Sequence, residues 1–199
     1  DCCARSRVLV HRKIHDTFVE KLVARTKKFV VGHPEKKGTQ IGPIISRRQY
    51  EKITGYIASG KAEGAKLLCG GSRPSGAPAK GHYITPAVFA GADTNMKIVR
   101  EEIFGPVLAV IPFKDEDEAI RLANDSAYGL SASLWTRDVG RVLRVTRAVQ
   151  SGVISVNTSS SVHLEAPFGG YKGSGLGREL GMKALDLYSE VKNVFISNV

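Results

Sequence analysis

The 199-residue sequence contains no apolar run near the ~20 residues that a helix needs to cross a bilayer, so no membrane partner is expected. The first residues, Asp1-Cys2-Cys3-Ala4-Arg5, have neither the basic start nor the apolar stretch of a secretory signal. Cysteine is scarce. The three present, Cys2, Cys3 and Cys69, make an odd number without zinc-ligand spacing, and no metal site is expected from them. Adjacent cysteines rarely bridge each other, because disulfide geometry strains the intervening peptide. A secreted disulfide framework is therefore not expected, and a cytoplasmic setting is.

Acidic residues are also few. There are 19, against 29 Lys and Arg, and the net charge is +10. Such a balance raises the question of nucleic acid. The basic residues, however, lie in separate segments (Lys27-Lys28, Lys36-Lys37, Arg47-Arg48, and Arg137, Arg141, Arg144 and Arg147) and are not interleaved with aromatics. Solvated helix faces explain them better than a nucleic-acid partner does. No G-x-G-x-x-G phosphate loop follows a strand, and no internal repeat or low-complexity tract occurs.

What is present is the profile of a globular domain, 42% hydrophobic and 24% charged. Residues 5–10 read as a short strand or a helix end. Ile14, Phe18, Leu22, Val23 and Phe29 follow helical spacing up to Gly32-His33-Pro34. A second helix is expected from Arg47 to Ala62, with Tyr50, Ile53 and Ile57 on one face and Gly64 as its stop. Strands are expected at 66–69 and Val107–Phe113, and an extended segment at 83–89. Beyond these, helices at 115–124 and 139–149 alternate with strands at 130–135 and 152–156. That alternation argues for crossover connections and parallel pairing. A loop at 157–177, a helix at 178–188 and a strand at 192–198 complete the chain. The fold class expected is α/β: an open, mostly parallel sheet with crossover helices, plus a C-terminal helix and strand.

Four segments carry a resemblance. Glu101-Glu102-Ile103-Phe104-Gly105-Pro106-Val107, Asn124-Asp125-Ser126-Ala127-Tyr128-Gly129-Leu130, Ala166-Pro167-Phe168-Gly169-Gly170-Tyr171-Lys172-Gly173-Ser174-Gly175-Leu176-Gly177-Arg178-Glu179 and the opening Cys2-Cys3-Ala4-Arg5-Ser6-Arg7 occur in that family's order and spacing. Together they resemble the C-terminal part of the NAD(P)-dependent aldehyde dehydrogenase superfamily, across essentially the whole chain. Members are more than twice as long, and their N-terminal half carries the dinucleotide-binding fold, the glutamate general base and an asparagine that holds the oxyanion. No counterpart of these is found here, and the sequence reads as a severed catalytic domain. Residues 1–177 would be the thiol-bearing catalytic domain and 178–199 a C-terminal helix with an oligomerisation strand. By itself the chain is expected to be inactive.

The resemblance assigns roles that the residues alone do not. At a chain end, Cys2 and Cys3 read as frayed; in the family's pattern Cys2 is the nucleophile and Cys3 lines the aldehyde pocket. Glu102 and Phe104 alone read as a solvated carboxylate and a packed ring before a Gly-Pro turn. In the family, the glutamate bonds the nicotinamide ribose hydroxyls and the phenylalanine packs beside the nicotinamide ring. A carboxylate suits a vicinal diol because it accepts two hydrogen bonds. Val162 in the loop 157–165 and Phe168 would wall the substrate pocket, whereas His163 reads as a solvated loop residue. Glu101 and Glu165 have no catalytic role in that pattern. Gly173, Gly175 and Gly177 read as a tight crossing where side chains do not fit. The implied cofactor is NAD or NADP, the substrate an aldehyde, and the full-length form a homo-oligomer. Two other readings stand beside this one: a cysteine-dependent esterase or acyl-transfer domain, which needs no ribose ligand, and a non-catalytic interaction module.

Overall fold

The computed structural model describes residues 1–198. They form two compact units, Asp1–Ser126 and Ala127–Val199, where the sequence suggested one body with an appendage.

The first unit is built on strands β1 (Arg7–His11), β2 (Lys66–Cys69), β3 (Ala87–Ala90) and β4 (Val107–Phe113). Their order is β1-β4-β3-β2, with β1 and β3 parallel to β4 and β2 antiparallel at the edge. Helices α1 (His15–Thr26), α2 (Arg47–Ala62), α3 (Lys97–Arg100) and α4 (Glu116–Asn124) complete it. Successive strand residues point to opposite faces, and the core divides accordingly. Ala109 and Ile111 of β4 and Phe89 of β3 join Ile53 and Ile57 of α2 in one cluster. Val110, Val88 and Val10 face the other way, against Val19, Leu22 and Val23 of α1. This three-layer burial explains why Val107–Phe113 reads as a continuous apolar run and not an alternating one.

Helix starts are marked by side-chain caps. Ser46 accepts the Gln49 N–H at 3.2 Å before α2, and Asp115 accepts the Glu118 N–H at 2.9 Å before α4. Each satisfies one amide that has no partner within its helix. The first helix ends earlier than its apolar spacing suggested, and Phe29 falls beyond it. The extended segment 83–89 leads into β3, Ala87–Ala90, and before it Thr85 exchanges backbone hydrogen bonds with Gly71 and Ser72.

The second unit holds β5 (Tyr128–Gly129), β6 (Ser131–Leu134), α5 (Val139–Ala148), β7 (Val153–Val156) and β8 (Tyr171–Lys172). Strands β6 and β7 pair in parallel across the α5 crossover, as the alternation implied. Within the expected loop, Tyr171–Lys172 pairs with Tyr128–Gly129. The expected α-helix over 178–188 is instead a 3-10 helix, Met182–Leu187. Glu179 is held in an extended bridge with Phe168, and Leu180 and Gly181 take positive φ, which an α-helix does not allow. The strand expected at 192–198 does not form among the described residues. Phe195 and Ile196 are exposed there, with no neighbouring strand to pair their backbone.

Candidate active site

The thiols sit in a tight turn that leads into β1. The Asp1 carbonyl accepts the Ala4 N–H at 3.2 Å, and the Asp1 carboxylate accepts the Cys3 N–H at 2.9 Å. This turn exposes Cys2 and buries Cys3, which is 4% accessible, with the two sulfurs 3.9 Å apart. Burial, followed by the hydrogen bond and charge of Cys2, pushes the Cys3 thiol above its ordinary pKa. Cys3 therefore stays protonated at neutral pH. None of the three cysteines is in a disulfide.

The strand after this turn is pinned at its first residue. The Arg7 guanidinium donates to the carbonyls of Leu122 at 3.0 Å, Ala123 at 3.0 Å and Asp125 at 3.4 Å, at the C-terminus of α4. Those carbonyls have no partner within the helix, and the cation meets the negative end of the helix dipole. Burial is the main influence on Arg7 and lowers its pKa, with Asp125 opposing.

The segment 101–106 precedes β4, which lies beside β1 and runs parallel to it. Topology thus brings the turn with Cys2 and Cys3 and the loop with Glu102 and Phe104 to one end of two neighbouring strands. The loop is clamped from α2. Gln49 Nε2 donates to the carbonyls of Ile103 and Phe104, each at 2.9 Å. Ile103 is buried, whereas Phe104 has φ +53° and is 52% exposed. A bulky residue in the left-handed region is strained, and such strain persists only where surroundings enforce it. Gly105 completes the enforcement: a Cβ there would stand 2.5 Å from Ile53 Cδ1.

The two glutamates differ. Glu101 accepts a hydrogen bond from the Tyr56 hydroxyl at 2.7 Å. Glu102 is exposed and bonds no residue among those described. Its carboxylate and, two residues on, the Phe104 ring are both exposed.

Val162 and Phe168 belong to the second unit. Ser131 and Ser161 hydroxyls meet at 3.0 Å, and Ser155 donates to the Ser160 carbonyl, which fixes the residues before Val162. Val162 is 54% exposed. Phe168 is half-buried and held by two backbone bonds to Glu179, at 2.7 and 2.8 Å. His163 and Glu165 are exposed. Of the crowding expected around Gly173, Gly175 and Gly177, an added Cβ would stand 3.0 Å from the Ala127 carbonyl oxygen at Gly173 and 3.2 Å from Leu187 at Gly177. Gly175 has nothing near an added Cβ, while one on Gly152 would stand 1.8 Å from the Gly169 carbonyl oxygen. Gly175 and Gly177 are glycine for their positive φ.

The candidate residues thus fall into the Cys2–Cys3 turn and the Glu102–Phe104 loop of the first unit and, described by itself, the Val162–Phe168 segment of the second. Sequence reading missed the clamping residues Gln49 and Tyr56. The one available signal for Gln49 was the Ser46-x-x-Gln49 spacing of a capping box, although its amide reaches the 101–106 loop instead.

With this geometry in view, comparison with known proteins is specific. Residues 1–194 match the model of the aldehyde dehydrogenase family. A betaine aldehyde dehydrogenase of Mesorhizobium japonicum is 47% identical over 98% of this chain, and one of Brucella anthropi is 45% identical over the same share. This chain spans about 40% of the length of each. Among solved structures, the NAD+ complex of an aldehyde dehydrogenase from Bacillus cereus superposes with a TM-score of 0.91 at 43% identity, over 96% of this chain and 38% of the other. An aldehyde dehydrogenase of Mycobacterium tuberculosis complexed with NAD+ gives 0.90 at 42% identity, over 94% and 38%.

Proposed function

Since the chain belongs to the aldehyde dehydrogenase family, we propose that it supplies the thiol-bearing part of an NAD(P)-dependent oxidoreductase that converts an aldehyde to a carboxylic acid. The observation that carries this reading is the 101–106 loop. Of two adjacent glutamates, one is tied to Tyr56 and the other is open beside a strained, exposed aromatic ring. An esterase or acyl-transfer domain has no use for a diol ligand next to its thiol.

In this mechanism Cys2 is the nucleophile. Its thiolate adds to the aldehyde carbon, forming a C–S bond and placing the electron pair on oxygen. A nicotinamide cofactor, held by Glu102 and Phe104, would supply a hydride acceptor. As the C–H bond electrons leave, the carbonyl reforms and Cys2 holds a thioester. Water then cleaves the C–S bond, releasing the acid and restoring the thiol. Glu102 would bond the ribose hydroxyls, and Phe104 would pack beside the nicotinamide ring. Cys3, kept neutral by burial, lines the aldehyde pocket without competing as a nucleophile. Val162 and Phe168, in the second unit, are taken as substrate-pocket residues on the family pattern alone.

Residues 1–177 would then act as the catalytic part and 178–199 as the part that assembles a homo-oligomer, through the apolar residues Val194, Phe195 and Ile196. A cytoplasmic setting agrees with three unbridged cysteines. The test is Cys2→Ala in a protein that joins residues 1–199 to a family dinucleotide-binding part. Aldehyde-dependent cofactor reduction, assayed with betaine aldehyde and with uncharged aldehydes in parallel, should disappear while cofactor binding stays intact. Turnover above about a hundredth of the parent would exclude Cys2, because no other group here can form the covalent intermediate.

A further inference from the structure

The same turn places three metal-ligating side chains together. One donor atom from each of Asp1, Cys2 and Cys3 lies within 4.8 Å of the others. The two sulfurs are 3.9 Å apart. Zinc bonds thiolate sulfur at about 2.3 Å, and a tetrahedral centre then spaces two sulfurs by about 3.8 Å. The sulfur pair is thus already at chelating distance. One Asp1 oxygen accepts the Cys3 N–H at 2.9 Å, which fixes the carboxylate beside the pair and leaves its second oxygen available. Asp1 and Cys2 are exposed, so a cation can enter and their side chains can close on it. Zinc-ligand spacing is absent from the sequence because the usual motif separates its cysteines by two to four residues. Here the tight turn from Asp1 to Ala4 achieves convergence with adjacent ones.

We propose that Asp1, Cys2 and Cys3 form a binding site for one soft divalent cation of the zinc class, with three protein ligands and an open fourth position. The cation displaces the protons of both thiols as it binds, releasing them to solvent, and the resulting sulfur donor set selects for such a metal over magnesium and calcium. Where Cys2 serves as nucleophile, a consequence that rests on the function proposed above, the bound cation occupies its sulfur and silences it reversibly. The site itself stands on the turn geometry alone.

The test reads the metal and not catalysis. Reduced, metal-free protein of residues 1–199 is titrated with cadmium, and sulfur-to-cadmium charge-transfer absorbance in the ultraviolet is followed. Zinc is then added as competitor. The expected result is saturation at one cadmium per chain, displacement by zinc, and no displacement by magnesium. Cys2→Ser and Cys3→Ser should each remove the saturating band. Asp1→Asn should weaken binding by at least about tenfold, the lower end of what loss of a supporting metal contact costs. Cys69→Ser should leave the titration unchanged. Cys2 is exposed, so its variant keeps the fold even where a change at buried Cys3 does not, and circular dichroism checks both. Absence of a band, a band that survives Cys2→Ser, a band lost in Cys69→Ser, or one cadmium shared by two chains on size exclusion would each overturn the proposal. Loss of aldehyde oxidation in Cys2→Ala bears on the nucleophile only, so the two readings fail separately.

Discussion

Replacing Gln49 by Ala should loosen the 101–106 loop while leaving the sheet beneath it intact. The Gln49 amide donates to the Ile103 and Phe104 carbonyls at 2.9 Å each. A hydrogen bond of this kind contributes about 0.5–1.5 kcal/mol net, so the pair contributes about 1–3 kcal/mol. Opposing it is the left-handed backbone of Phe104 at φ +53°, which costs about 1–2 kcal/mol for a residue other than glycine. The two quantities are of similar size. The clamp is what offsets the strain, and without it the loop has no reason to hold Phe104 in place. Amide hydrogen exchange is the direct assay. Amides at 103–105 should exchange about 5- to 150-fold faster in Gln49→Ala, at one factor of ten per 1.4 kcal/mol. Amides in β4 and β7 should be unchanged. If exchange at 103–105 stays within a factor of two of the parent, the hydrogen bonds do not hold the loop and the argument fails.

Other expectations follow from the same contacts. In a protein with a complete cofactor site, Glu102→Gln should slow hydride transfer more than it weakens cofactor affinity, because a misplacement of ~1 Å can cost ~100-fold in rate; unchanged single-turnover hydride transfer would refute the ribose role. Gly105→Ala should lower stability by about 1–3 kcal/mol, the usual cost of overpacking, because its Cβ would stand 2.5 Å from Ile53 Cδ1 and Ile53 is fully buried; urea denaturation measures this. The Glu63 carboxyl is held below its ordinary pKa, chiefly by the Ser59 hydroxyl and next by the Lys97 N–H. Its contribution is therefore present above the ordinary carboxylate pKa and lost as pH falls through the lowered value, and Glu63→Gln should flatten the acid limb of stability against pH. Residues 1–199 mixed alone with NAD or NADP and aldehydes should give no steady cofactor reduction, since no phosphate-binding loop holds the dinucleotide; sustained turnover by pure protein would contradict this.

How much of this was legible in the sequence depended on where each interaction lies along the chain. Helix α2 was read to its exact ends, since Ser46 caps it and Ile53 and Ile57 repeat at one-turn spacing. β4 was equally plain, because burial on both faces demands an unbroken apolar run. The 178–188 segment misled, because its helical composition is overruled by the Phe168–Glu179 bridge, a contact made with residues outside the segment. The strand at 192–198 failed for a related reason: apolar composition supplies the propensity, but a strand needs a neighbour. Among the candidate residues, Cys2, Glu102 and Phe104 stand in motifs that single them out. Gln49 and Tyr56, which act across 55 and 45 residues of chain, do not.

The buried apolar side chains among the described residues all fall between Cys3 and Leu122, and none lies in the second unit. Cys2, Glu102 and Phe104 thus belong to the part with a close-packed core, where most substitutions are costly. Val162 and Phe168 belong to a part held by backbone pairing and serine hydroxyls, where a side chain can change size without displacing a core. On the proposed function, in which Val162 and Phe168 wall the substrate pocket, that wall is the inexpensive place to vary. Drift there can retune which substrate is accepted while the reacting groups stay fixed, so preference should diverge faster than reaction type.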